Sequence, residues 1–148
     1  MDFYEEIVEL YLTAVEGCAV IPQVPILEST TGEPWEAYPD FLAIDFSKRE
    51  ISIVEVTKAG TRDVVKRFSA KLKDQYRNNV EQYIKKKTLN NQLSFTTHWR
   101  FFVRRDHVKL LEASTNYREY LEAGGKAEVI ALEDILDRIR DFTLRGVR

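Results

Sequence analysis

Apolar residues at positions 3, 7, 8, 10, 11, 14 and 15 recur at helical spacing and predict a helix over 2–16, with Gly17 as its C-cap. The extended segment AVIPQVPIL at 19–27 contains Pro22 and Pro25, each without a ladder donor, so it belongs at a sheet edge. Residues 28–39, ESTTGEPWEAYP, read as loop. Two apolar runs, 40–46 and 51–57, flank the polar turn Ser47-Lys48-Arg49-Glu50 and predict a β-hairpin. Val65, Phe68, Leu72, Tyr76, Val80 and Tyr83 then fall roughly on one stripe, which predicts a single long helix over 62–87. Leu89 to Thr97 reads as loop, and HWRFFVR at 98–104 as a strand. Asp106 is placed to cap a short helix from His107, and further helical residues run to the stop signal Gly124-Gly125. A last strand over 128–132 and a closing helix over 133–144 complete the pattern. With no repeat or linker, residues 1–148 are expected to form a single domain. Its fold class is α/β, a mixed β-sheet flanked by α-helices.

The hairpin carries the candidate chemistry. A four-residue turn at 47–50 pairs Phe46 with Ile51, Ile44 with Ile53, Leu42 with Glu55 and Asp40 with Thr57. Because side chains alternate, residues 40, 42, 44, 46, 51, 53, 55 and 57 share one face. That face is apolar at the turn end and acidic at the other, where Asp40 and Glu55 stand diagonally, about 7–8 Å apart at the backbone. Two carboxylates at the rim of a core need a counter-charge. Either a shared metal ion supplies it, or a salt bridge to Lys58 or to a base on the following helix does.

Composition narrows the choice of metal. Hydrophobic content of 44% with 31% charged residues is that of a folded soluble chain. No apolar run approaches the roughly 20 residues of a spanning helix, and the acidic start MDFYEEIVEL is not signal-like, so no membrane partner is expected. The single cysteine, Cys18, excludes an internal disulfide and fits a reducing, cytoplasmic setting. One cysteine and two histidines are too few for a structural zinc site, so metal chemistry would rest on carboxylates and on Mg²⁺ or Mn²⁺. The net charge of -2 conceals an asymmetry. Residues 1–57 hold twelve acids and two bases, while residues 58–109 hold fourteen bases and four acids. Such halves either solvate and attract one another, or hold a cation on one side and a polyanion on the other.

The run YPDFLAIDFSKREISIVEVTK resembles the PD-(D/E)XK nuclease superfamily, with Pro39-Asp40 as its PD element and Glu55 as its second acid after ISIV. The helix before Gly17 is similar to the one that carries an inward glutamate in archaeal Holliday-junction resolvases. By spacing to the glycine that acid is Glu6, with Glu5 and Glu9 as the alternatives. The resemblance covers about residues 3–136 and implies a restriction-endonuclease-like sheet with helices on both faces. It further implies metal-dependent hydrolysis of DNA phosphodiesters, with Asp40, Glu55 and the Val56 carbonyl as ligands of Mg²⁺ or Mn²⁺. The family's lysine position is occupied by Thr57, with Lys58 one place on. A β-bulge would return Lys58 to the site as the catalytic base. Otherwise a helix base such as Lys66 supplies the charge, or catalysis has been lost and a nucleic-acid-binding or assembly protein remains.

Lys66, Lys73 and Arg77 share one face of the long helix, and Lys85, Lys86 and Lys87 close it. These six are the candidate DNA contacts, against the simpler reading of a solvated helix surface. Gln75 and Gln82 read as ordinary polar positions, Trp35 as a cap on the core edge, and His98 and His107 as structural. A homodimer is a further expectation, by analogy with the family.

Overall fold

The computed structural model describes residues 2–61, 63–90 and 94–146. Arg62, expected at a helix start, and residues 91–93 of the expected loop lie outside them. Within them one sheet carries strands β1 (Ala19–Pro22), β2 (Phe41–Asp45), β3 (Glu50–Val56), β4 (Thr96–Val103) and β5 (Ala127–Ala131), hydrogen-bonded in sequence order. The pairs β1–β2 and β2–β3 are antiparallel, while β3–β4 and β4–β5 are parallel. The sheet is therefore mixed, and the fold is α/β as the sequence pattern indicates.

Helices cover both faces, because β2, β3 and β4 are apolar on both. On one face Leu42, Ile51, Ile53, Trp99, Phe101 and Val103 pack under α2 (Asp63–Lys71), α3 (Asp74–Asn90), α4 (Arg105–Glu112) and α5 (Thr115–Glu122). On the other, Phe41, Ala43, Val54, Phe102 and Ile130 pack under α1 (Phe3–Leu10), the π-helical turn Tyr11–Val15 and α6 (Leu132–Gly146). Gly17 ends the first helical segment with φ +72°, a conformation only glycine adopts without strain. Among the described residues no helix is long and apolar enough to cross a membrane.

Several boundaries differ from the sequence expectation, and two of the differences matter. The long helix is two. Leu72 N–H bonds to Ser69 O and Lys73 N–H to Ala70 O, tightening the chain into a turn before α3 starts at Asp74. Side-chain bonds hold this break: Asn116 Nδ2 donates to Ser69 O, and Arg77 Nη1 donates to Leu72 O. The hairpin register is also two residues off. Asp45 pairs with Glu50, and the turn is 46–49, because the Asp45 carboxylate accepts from Ser47 Oγ at 2.6 Å and Lys48 N at 3.0 Å. Phe46 therefore sits in the turn and is 64% exposed rather than capping the strand. Elsewhere α4 begins at Arg105 with Arg104 as its N-cap residue, so Asp106 is a first-turn acid and not the cap.

Candidate acidic site

A slip of two residues keeps every side chain on its face. Leu42 meets Ile53, and continuing the register one step past the ladder brings Asp40 directly opposite Glu55 rather than diagonal to it. The next hydrogen-bonded pair would be Pro39 with Val56, and proline has no N–H to give. The ladder stops there, and the Val56 N–H is taken instead by Asp40 Oδ2 at 2.7 Å. Pro39 removes the donor that the Val56 carbonyl would meet, while the Asp40 carboxylate takes the Val56 N–H.

Glu55 is only 3% exposed. Its Oε2 lies 2.8 Å from Lys71 Nζ, and its Oε1 accepts from Tyr76 Oη at 3.4 Å. Both partners depend on the helix break: Lys71 ends α2 and Tyr76 opens α3. The Lys71 ammonium also lies 5.4 Å from the ring centres of Phe68 and Tyr76, and Trp35 meets the Tyr76 ring edge-on. Trp35 is half-buried in this wall.

Burial, and then the Glu55 charge, push the Asp40 carboxyl up to about 7 despite the Val56 hydrogen bond; Glu5 adds to the rise. Burial likewise raises Glu55, with the Lys71 charge as the largest opposing effect and a hydrogen bond with Asp40 among the smaller ones. Burial, and next the Glu55 charge, raise the Tyr76 hydroxyl, which stays protonated and donates. At neutral pH the pair is short of positive charge.

The remaining expected residues divide. Glu6 is exposed and takes no part; the acid of α1 that influences Asp40 is Glu5. Glu5 is oriented by a capping box, its carboxylate accepting from Asp2 N while Asp2 Oδ1 accepts from Glu5 N. Lys58 does not bulge into the site. It is exposed, 5.8 Å from the Tyr4 ring centre, because Thr57 N–H continues the bonding to β4 through Phe102 O. Thr57 Oγ1 accepts from Ala59 N and serves the turn after β3. Lys71, which the sequence pattern did not single out, holds the place expected of Lys58 or Lys66.

Lys66, Lys73 and Lys85 are exposed. Arg77 is half-buried over the Tyr120 ring, besides its bond to Leu72 O. Lys86 pairs with Glu28 at 3.0 Å, and Lys87 lies over Tyr83. His98 lies between Glu50 and Glu128, and His107 is buried, so neither meets the acidic pair.

Among the described residues no group of three or more His, Cys, Asp and Glu side chains is arranged to hold a metal ion. The donor set here is two carboxylates, with Glu5 nearby. Mg²⁺ and Mn²⁺ sites of one or two carboxylates, completed by water and substrate phosphate, need no more than that. Two carboxyl groups raised by burial, one also by the other's charge, are what a divalent cation relieves. The residues fit such an ion. Comparison of the sequence with protein-family models gives no match, and comparison with curated proteins gives none.

Proposed function

We propose that the protein is a metal-dependent DNA endonuclease of the PD-(D/E)XK type, with Asp40 and Glu55 as its acidic centre. The observation that carries this reading is the pairing of half-buried Asp40 with buried Glu55 at the end of β3, with Lys71 on Glu55. Asp40, Glu55 and the Val56 carbonyl would hold Mg²⁺ or Mn²⁺, which when bound polarises a phosphoryl oxygen and acidifies water. Asp40 gives up its proton as that charge arrives. Lys71, fixed between two aromatic rings and Glu55, supplies a cation for the negative charge that develops on the phosphate. The exposed bases of α2 and α3 offer phosphate contacts that position a strand.

One observation favours a second reading, a nucleic-acid-binding or assembly protein without catalysis. Glu55 already has a counter-ion in Lys71, at 2.8 Å. Incubation of the protein with duplex, branched and single-stranded DNA in Mg²⁺ or Mn²⁺ separates the two. Cleavage that disappears in Asp40→Asn supports the nuclease. Binding with no cleavage of any of these substrates supports the second reading.

A further inference from the structure

The basic residues along α3 border a cleft of about 700 Å³ between that helix and the loop at 28–30. Asn79 stands in its wall, 1% exposed, with only half of its amide satisfied. Its Oδ1 accepts from Thr30 N at 2.8 Å and from Thr30 Oγ1 at 3.0 Å. A backbone N–H can only donate, so the atom facing Thr30 is the oxygen and the amide cannot be reversed. Asn79 Nδ2 therefore faces elsewhere, and it has no acceptor among the described residues. A buried donor without a partner is costly, and such groups are rare in folded proteins unless something else satisfies them.

The same cleft holds an anionic oxygen of the protein's own. Glu28 Oε2 lies 3.0 Å from Lys86 Nζ, and the two side chains are 63% and 60% exposed. This tie closes the loop over Asn79, yet it is a solvent-screened ion pair of small worth. Once Glu28 leaves, the cleft presents the ammonium groups of Lys85 and Lys86, with the enclosed Asn79 amide in its wall. That set matches an oxyanion with several acceptor oxygens and more than one negative charge.

We propose that this cleft is a phosphate-binding site. The anion displaces Glu28 from Lys86, is held by Lys85 and Lys86, and gives Asn79 Nδ2 its missing acceptor. The phosphate is one carried by a nucleic-acid strand. Lys85 and Lys86 belong to the exposed basic surface of α2 and α3 to which the proposed function assigns strand phosphates. The identity of the anion's source rests on the nuclease reading; the site does not.

The test uses isotope-labelled protein without divalent metal and follows the Asn79 side-chain amide by NMR, assigned by its loss in Asn79→Ser. Sodium phosphate and a short single-stranded oligonucleotide are titrated separately. Both are expected to shift the amide saturably. Glu28→Gln should lower the half-saturation concentration roughly two- to five-fold, the worth of one exposed ion pair. Lys85→Gln with Lys86→Gln should raise it on the order of ten-fold at low salt. These three residues are exposed, so those variants read binding rather than folding. A response to phosphate alone keeps the site and overturns its assignment to a nucleic-acid strand. Oligonucleotide binding that leaves Asn79 unmoved overturns the site and leaves the nuclease reading standing. No shift with either probe overturns the proposal.

Discussion

Replacing Lys71 with methionine keeps the length and apolar stem of the side chain that lies over Phe68 and Tyr76, and removes only the charge on Glu55. Breaking a buried ion pair from one side costs about 3–5 kcal/mol. Lys71 is 24% exposed against 3% for Glu55, so solvent screens part of this, leaving about 2–3 kcal/mol at pH 8. The loss should depend on pH. Burial already raises the folded-state pKa of Glu55 above its ordinary value, and Lys71 is the strongest effect holding it down. An acid raised on folding favours the folded state below its unfolded pKa and loses that contribution as pH rises through the folded one. Without Lys71, Glu55 takes up a proton at mildly acidic pH and needs no counter-ion. Urea unfolding of wild type and Lys71→Met should therefore differ by about 2–3 kcal/mol at pH 8 and by under about 1 kcal/mol near pH 5. Saturating Mn²⁺ should stabilise the variant more than wild type, since one cation stands in for another. An equal loss at both pH values would mean that packing, not charge, ties Lys71 to the site. No loss would remove the ion pair from the account.

Asp40→Asn should stabilise the metal-free protein at pH 8, because the wild-type carboxyl, raised to about 7, loses folding free energy as pH climbs from its unfolded value through neutrality. Urea midpoints from pH 4 to 9 should fall less steeply in the variant. Lys58→Ala should leave stability within about 0.5 kcal/mol and Mn²⁺ affinity unchanged, as expected of an exposed side chain outside the site. Loss of cleavage in Lys58→Ala with retention in Lys71→Met would reverse the two assignments. Gly125→Ala would drive a methyl carbon into the Tyr120 ring, whose hydroxyl holds Glu81 at 2.8 Å. The clash should cost about 1–3 kcal/mol, read as a lower Tm.

The acidic pair was legible in the sequence because two physical regularities fix it. Alternation assigns Asp40 and Glu55 to one face in every register with an even number of turn residues, and Pro39 removes the donor that would have extended the ladder. The register itself was not legible. Its turn is set by Asp45, which reads as a strand residue but whose carboxylate bonds Ser47 and Lys48. Lys71 was hidden for a related reason. The stripe Val65, Phe68, Leu72, Tyr76 suits one continuous helix, and no glycine or proline marks the break at Leu72–Lys73. The side-chain bonds of Asn116 and Arg77 hold it, and the first comes from a residue 47 positions away that local sequence does not connect. Glu5 was within reach. Asp2 followed three residues later by Glu5 is a capping-box pattern that fixes one acid at the helix start, whereas counting back from Gly17 picked Glu6. The charge asymmetry located the bases but not their partners. Arg77 and Lys86 proved to hold a helix end and a loop as well as facing solvent.

The proposed function requires Asp40 and Glu55 together to hold a divalent cation. Titration of Mn²⁺ into metal-free protein at pH 8, with free Mn²⁺ read by electron paramagnetic resonance, tests it most directly. Saturable binding at one site is expected, lost in Asp40→Asn and in Glu55→Gln and retained in Lys58→Ala. Absence of binding to the wild-type protein, or binding unchanged by Asp40→Asn, would contradict it.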